Sequence, residues 1–134
     1  MAKLPPGGNL LVQEMASGKR EFLIGMARDD QYGPCVTFGL GGIFAEALGD
    51  TVLRLAPVSA REALAMMDDI RAKALLGPYR GMAAVDRKAL ARAIIGVGAA
   101  ALAHPEIAEI DVNPVIIAGD RPVAVDALVV LKTD

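Results

Sequence analysis

The sequence predicts an α+β fold, a largely antiparallel sheet with two helices packed on one face. Three observations carry this. Strand-like stretches come first, two helical stretches follow, and two strands close the chain, so β and α do not alternate one by one. Both helical stretches open on capping residues and repeat apolar residues at helical spacing. The two closing strands are joined by Gly119-Asp120, a composition favoured in two-residue hairpin turns.

In order, Pro5-Pro6-Gly7-Gly8 supports no regular pairing, so residues 1–9 read as a linker or leader. Leu10 to Ala16 reads as a strand, Ser17-Gly18-Lys19 as a turn, and Glu21 to Ala27 as the returning strand of a hairpin. That register would set Glu14 across from Glu21, an unfavourable pair of like charges. Either a ligand or a shifted register would account for it. Cys35 to Phe38 is a short strand running into Gly39-Leu40-Gly41-Gly42, and Thr51 to Leu55 is another strand before Ala56-Pro57. Ser59 with Glu62 has the spacing of a capping box, and Leu64, Met67, Ile70 and Ala74 follow at helical intervals. Asp86 is placed to cap the second helix, whose apolar stripe is Leu90, Ile94, Val97 and Ala101. Pro105 stops it. The final strands are Ile107 to Ile117 and Val123 to Leu131.

The chain has 134 residues, which suits one domain. Hydrophobic residues at 54% exclude a disordered chain. A net charge of −2 and aromatics at 4% give neither the basic field nor the stacking surfaces that nucleic acid needs. A single cysteine, Cys35, rules out an internal disulfide and a cysteine zinc cluster, and fits a reducing, cytoplasmic setting. The start, MAKLPPGG, lacks the apolar core of a signal peptide. The apolar run Ala93 to Ala103 is far shorter than the ~20 residues of a membrane span.

Chemistry concentrates in Glu109-Ile110-Asp111-Val112-Asn113-Pro114. Strand alternation puts Glu109, Asp111 and Asn113 on one face. The Gly119-Asp120 turn sets a register in which Asn113 lies opposite Asp126, the lone charge in the next strand's apolar stretch. Paired Cβ atoms lie roughly 5 Å apart, close enough for an amide oxygen and a carboxylate to share one hard cation such as Mg²⁺. The other reading, a solvated polar face, stays open on spacing alone. The loop Phe38 to Glu46 holds three glycines that would let backbone amides approach phosphate. It has neither the Lys-Ser/Thr ending of a P-loop nor the dinucleotide fingerprint, and a purely structural turn is the other reading.

The stretches LLVQEMASGKREFLIGMARDDQYGPCVTFGLGGIFAEALGDTVLRLAPVS, LLGPYRG, PEIAEIDVNPVII and PVAVDALVVL, in this order, resemble the acyl-CoA synthetase (NDP-forming) family. That family includes the ADP-forming acetate–CoA ligases and is more distantly similar to the succinyl-CoA synthetase β subunit. The resemblance implies the C-terminal subdomain of an ATP-grasp unit over residues 10–131, with ATP or ADP and Mg²⁺ as cofactors. It implies that Gln13, Glu14 and Met15 form the hinge strand beside adenine and that Glu21 helps hold the nucleotide. It further implies that Gly41, Gly42, Glu46 and Arg54 line the phosphate side, and that Asn113 and Asp126 bind the metal. No residue in this segment need be a nucleophile. The implied reaction turns acyl-CoA, ADP and phosphate into free acid, CoA and ATP through a phosphohistidine.

The implied partners are an earlier ATP-grasp subdomain with a phosphate-gripping lysine and the CoA-binding domains. Nine residues precede the first predicted strand here, and Lys3 among them is no substitute for that lysine. His104, the sole histidine, reads as a helix C-cap. An isolated chain is expected to be inactive. It is also expected to self-associate as a symmetric dimer through Leu40, Ile43, Phe44 and the open edge of the first hairpin. A regulatory, non-catalytic module of a protein acetyltransferase is the alternative, and an interaction fragment that simply dimerises is a third. A retained Asn113–Asp126 pair favours the enzyme, because a purely structural module has no need of it.

Overall fold

The computed structural model describes residues 7–43 and 45–133. Lys3, Pro5, Pro6 and Phe44 lie outside them. Among the described residues six strands form one sheet: β1 (Glu21–Asp29), β2 (Gly33–Leu40), β3 (Thr51–Leu55), β4 (Ile107–Ala118), β5 (Arg121–Ala124) and β6 (Ala127–Leu131). The order is β3-β2-β1-β4-β5, and β6 also pairs with β4, following β5 along the same side. Every strand pair is antiparallel. The helices are α1 (Ala45–Leu48), α2 (Ala60–Asp69) and α3 (Arg87–Ala103), with a 3-10 helix at Arg71–Leu76.

Alternation decides which face is covered. Phe22 and Ile24 of β1 and Val36 and Phe38 of β2 point to one side, where they meet Met66, Met67 and Ile70 of the α2 region and Leu90 and Ile94 of α3, while Met26 packs with Ala101 of α3 and Ile110 of β4. The Phe22 and Phe38 rings stack there at 5.6 Å between centroids. The α+β expectation holds, with both long helices on one face. Among the described residues no helix is long and apolar enough to cross a membrane.

Both caps form. The Ser59 hydroxyl accepts from the Glu62 amide while the Glu62 carboxylate accepts from the Ser59 amide, and Asp86 accepts from the Ala89 amide. His104 is the C-cap of α3, its amide donating to Ala100 and its ring 3.0 Å from Glu106.

Two expectations need correcting. Leu10 to Ala16 is not a strand and forms no hairpin with β1. β1 is central, with one edge filled by β2 and the other by β4, so no edge is left for the segment. Its residues instead run beside Val123–Val125, and Gly18 is wedged so closely against Ile117 that a Cβ would sit 2.2 Å from the Ile117 carbonyl oxygen. Glu14 therefore does not oppose Glu21. The β1 hairpin partner is β2, through a turn in which Asp29 accepts from the amides of Gln31 and Tyr32.

The second correction concerns α2. Met67 and Ile70 are buried, but Leu64 and Ala74 are exposed, and Ala63 and Met66 complete the buried stripe. The α-helix stops at Asp69 because the Asp50 carboxylate takes the amides of Arg71 and Ala72, and the chain restarts there as a 3-10 turn.

Candidate functional site

The uncovered face of the sheet carries an open groove. Glu109, Asp111 and Asn113 of β4 line it together, as alternation requires, with Leu23 and Gly25 of β1, Thr37 of β2 and Thr51 of β3. Glu46 on α1 stands at the same groove. Its charged lining is acidic, which favours a cation over a bare phosphate.

A β-bulge aims Asn113. β1 and β4 pair as Phe22↔Val115 and Ile24↔Val112, so Asn113 and Pro114 together oppose Leu23. The core-facing parity of β4 changes across the bulge, from Ile110 and Val112 before it to Val115 and Ile117 after it. Pro114 has no amide to give the ladder, which suits a bulge. On the other side of β4 the Gly119-Asp120 register is realised: Ala118 pairs with Arg121, Val115 with Ala124, and Val112 with Ala127. Between those pairs the Asn113 amide donates to the Asp126 carbonyl at 3.2 Å. Asn113 therefore lies opposite Asp126, and Asp126 sits exposed in the gap between β5 and β6.

The glycine loop closes on these residues. The Gly41 amide donates to the Glu21 carbonyl at 2.9 Å, and the Gly42 amide donates to Asn113 Oδ1 at 3.2 Å. A Cβ on Gly41 would lie 2.3 Å from the Phe22 oxygen, and one on Gly42 would lie 2.1 Å from Glu21 Oε2. The Glu21 carboxylate ends a flexible side chain that can turn aside, so it is the φ of +81° at Gly42 that favours glycine there. Glu21, Gly41, Gly42 and Asn113 thus meet at one point, and Glu46 and Asp126 flank it. Both loop amides are already engaged in this arrangement.

Arg54 does not join them. It shares the helix-facing side of β3 with Val52, and its guanidinium binds Asp69 of α2. The phosphate-side placement expected from the resemblance is not what this structure shows, because strand alternation turns Arg54 away from the Thr51 face. Gln13 and Glu14 lie in a shallow groove with Val123–Val125, one residue short of Asp126, and Met15 is 90% exposed. Among the described residues no three His, Cys, Asp or Glu side chains converge to hold a metal. The oxygen pair of Asn113 and Asp126 still fits Mg²⁺, a hard cation that keeps most of its shell for water and phosphate. Glu109 and Asp111 had been visible in the sequence as one-face acids without a role, and the groove gives them one as its negative wall.

A family model described as an ATP-grasp domain matches residues 7–131. The chain belongs to the ATP-grasp family. Among its ATP-grasp relatives, the beta subunit of acetate–CoA ligase (ADP-forming) I of Pyrococcus furiosus is 45% identical over 122 residues, covering 91% of this chain and 53% of that subunit. Acetate–CoA ligase (ADP-forming) I of Archaeoglobus fulgidus is 39% identical over 122 residues, covering 91% of this chain and 18% of that protein. The chain therefore spans about half the length of the first relative and a smaller share of the second. In structure it is similar to the dinucleotide-forming acetyl-coenzyme A synthetase 1 of Ca. Korarchaeum cryptofilum, with a TM-score of 0.85 and 43% identity over 90% of this chain and 56% of that one. That protein was solved with coenzyme A and Mg-AMPPCP, its phosphohistidine segment pointing towards the nucleotide binding site.

Proposed function

We propose that this chain is the nucleotide- and Mg²⁺-binding part of an ADP-forming acyl-CoA synthetase, with residues 10–131 as the C-terminal subdomain of its ATP-grasp unit. The observation that carries the reading is the β4 bulge, which sets the Asn113 amide oxygen on Gly42 and opposite Asp126, beside Glu21. The relatives' identity as ADP-forming acid–CoA ligases supports the same reading.

In this reading Asn113 and Asp126 hold Mg²⁺. When bound there, the ion would supply positive charge to offset that of the phosphates. Asn113 Oδ1 now accepts from the Gly42 amide; were that oxygen given to the cation, the Gly42 N–H would be left to donate to a phosphate oxygen. The carboxylate of Glu21, an acceptor, suits the hydroxyl and amino groups of a nucleotide rather than its phosphates. Gln13, Glu14 and Met15, outside every strand, offer backbone groups to the base. The partners are the nucleotide, the family's earlier ATP-grasp subdomain and its CoA-binding domains. The chain's one histidine, His104, caps α3, so the phosphohistidine comes from elsewhere, and the isolated chain gives no sustained ATP from acyl-CoA, ADP and phosphate.

Calorimetric titration of ADP with and without Mg²⁺ tests this. Mg²⁺ should strengthen ADP binding to the unaltered chain. Asn113→Ala and Asp126→Ala should each remove about tenfold of that gain, the scale of one charge-assisted contact. An ADP affinity indifferent to Mg²⁺, or equal enhancement in both variants, overturns the proposal.

A further inference from the structure

Arg20 is 3% exposed, and its guanidinium has no carboxylate partner among the described residues. It donates only to backbone oxygens: Leu75 at 3.0 Å and Gly77 at 3.3 Å from one terminal nitrogen, and Gly119 at 2.9 Å from the other. Its Nε is buried with no hydrogen-bond partner among the described residues. A buried cation compensated only by carbonyl dipoles is expensive, and it leaves an uncancelled positive field around it.

That field opens into a cleft of about 600 Å³ between the start of β1, the turn after the 3-10 helix and the β4–β5 turn. Lys19 and Arg80 line the cleft with Arg20, and among the described residues no acidic side chain does. In a chain with 16 acidic and 14 basic residues, three cations without one carboxylate is a marked local imbalance. Successive residues on a strand face opposite ways, so Arg20 lies on the helix side of the sheet while Glu21 belongs to the groove.

The turn that carries Arg80 is itself unusual. Tyr79 and Met82 exchange backbone hydrogen bonds of 3.1 and 2.9 Å, leaving Arg80 and Gly81 as the two central residues with φ of +46° and +80°. Such turns favour Asn or Gly first, because a longer side chain with positive φ is disfavoured. Arginine occupies the position nonetheless, at the mouth of the cleft and 5.6 Å from the Tyr79 ring centroid. Backbone strain at a charged residue beside a cavity is a common mark of a binding site.

We propose that this cleft binds a phosphate group, with Lys19 and Arg80 contacting the oxyanion and Arg20 supplying a fixed buried charge behind them. Tyr79, Met82 and Ile117 give the cleft an apolar wall, so the phosphate is either free or the end of an ester with an apolar body. The proposal stands apart from the nucleotide reading, since the two sites occupy different faces of the sheet.

The test is an amide-resolved NMR titration of the full chain at constant ionic strength, with inorganic phosphate in one arm and phenyl phosphate in the other. Saturable shifts are expected at Gly18, Lys19, Arg80, Gly81 and Gly119. Lys19→Gln and Arg80→Asn, both exposed positions and the latter a better turn residue, should each weaken binding about tenfold without loss of fold. Tighter binding of phenyl phosphate assigns an ester as the ligand; equal or weaker binding assigns free phosphate. Shifts that never saturate, that persist unchanged in the double variant, or that fall only at Gly41 and Gly42 overturn the proposal.

Discussion

The Asp50 carboxylate, 7% exposed, accepts from the amides of Arg71 at 2.8 Å and Ala72 at 2.7 Å, and so caps the 3-10 helix from across the fold. No side chain of that helix's own N-cap does this work. Burial pushes the carboxyl pKa up, but the two amides and the Arg71 charge together outweigh it and hold the pKa below the ordinary value. A depressed native pKa stabilises the fold at pH values above the unfolded pKa of about 3.9, and that stability is lost as pH falls through the native pKa. The urea midpoint should therefore fall on acidification below about pH 4, and less steeply in Asp50→Asn. Asp50→Ala should cost about 2–4 kcal/mol, because it strands two amides in the interior. A midpoint unchanged by Asp50→Ala would show that the joint is held otherwise. Asn113 acts comparably: its backbone extends the ladder to Asp126 while its side chain holds the glycine loop.

β4 spans both halves of the site because it changes parity once along its length. A strand without the bulge would keep Ile110, Val112 and Pro114 on the core side and turn Val115 and Ile117 outward. The extra residue lets both ends of β4 bury their apolar faces, with Asn113 at the switch. α2 shows the opposite economy, since its start is set within four residues. Ser59→Ala removes the hydroxyl that accepts from the Glu62 amide, leaving only the backbone half of the capping box, and should lower stability by about 1 kcal/mol, measured by urea denaturation. A loss near zero would mean that packing of Met66 and Met67 alone holds the helix in place.

One face of the sheet is covered by helices and the other is open, so the molecule presents apolar groups to solvent at several places. Every residue of β6 is exposed, including Leu128, Val129, Val130 and Leu131, and so are Leu10, Leu11 and Val12. Near the glycine loop Ile43 is 90% exposed while Leu40 is partly covered. An apolar edge strand with free backbone groups tends to pair. The chain should therefore self-associate, and a two-fold dimer is the simplest closed form. Light scattering across a concentration series reads this directly. Leu128→Lys with Val130→Lys should return the monomer, and the new cations would oppose Asp111 and Glu109 across the ladder, which favours folding. A constant monomer mass for the unaltered chain would remove the prediction.

Residue order alone determined the features that depend on near neighbours. Thr51 to Leu55 is a strand with the bounds its composition implies, Ser59 and Asp86 cap their helices, and the Gly119-Asp120 turn places Asn113 opposite Asp126. Turn chemistry, capping and alternation act over a few residues, so they can be read before any packing is known. The paired polar residues of the site were legible for the same reason. Tertiary structure decided the rest. Leu10 to Ala16 has strand-like composition, but β2 and β4 already occupy both edges of β1, a fact set by residues up to a hundred positions away. Asp69 of α2 is what pairs with Arg54 on the helix side of β3, and α2 stops where Asp50 reaches it. Nothing in its neighbours marks Arg20 as buried; the carbonyls of Leu75, Gly77 and Gly119, far along the chain, close over it. Burial and edge occupancy are properties of partners distant in sequence, and no local pattern encodes which partner arrives.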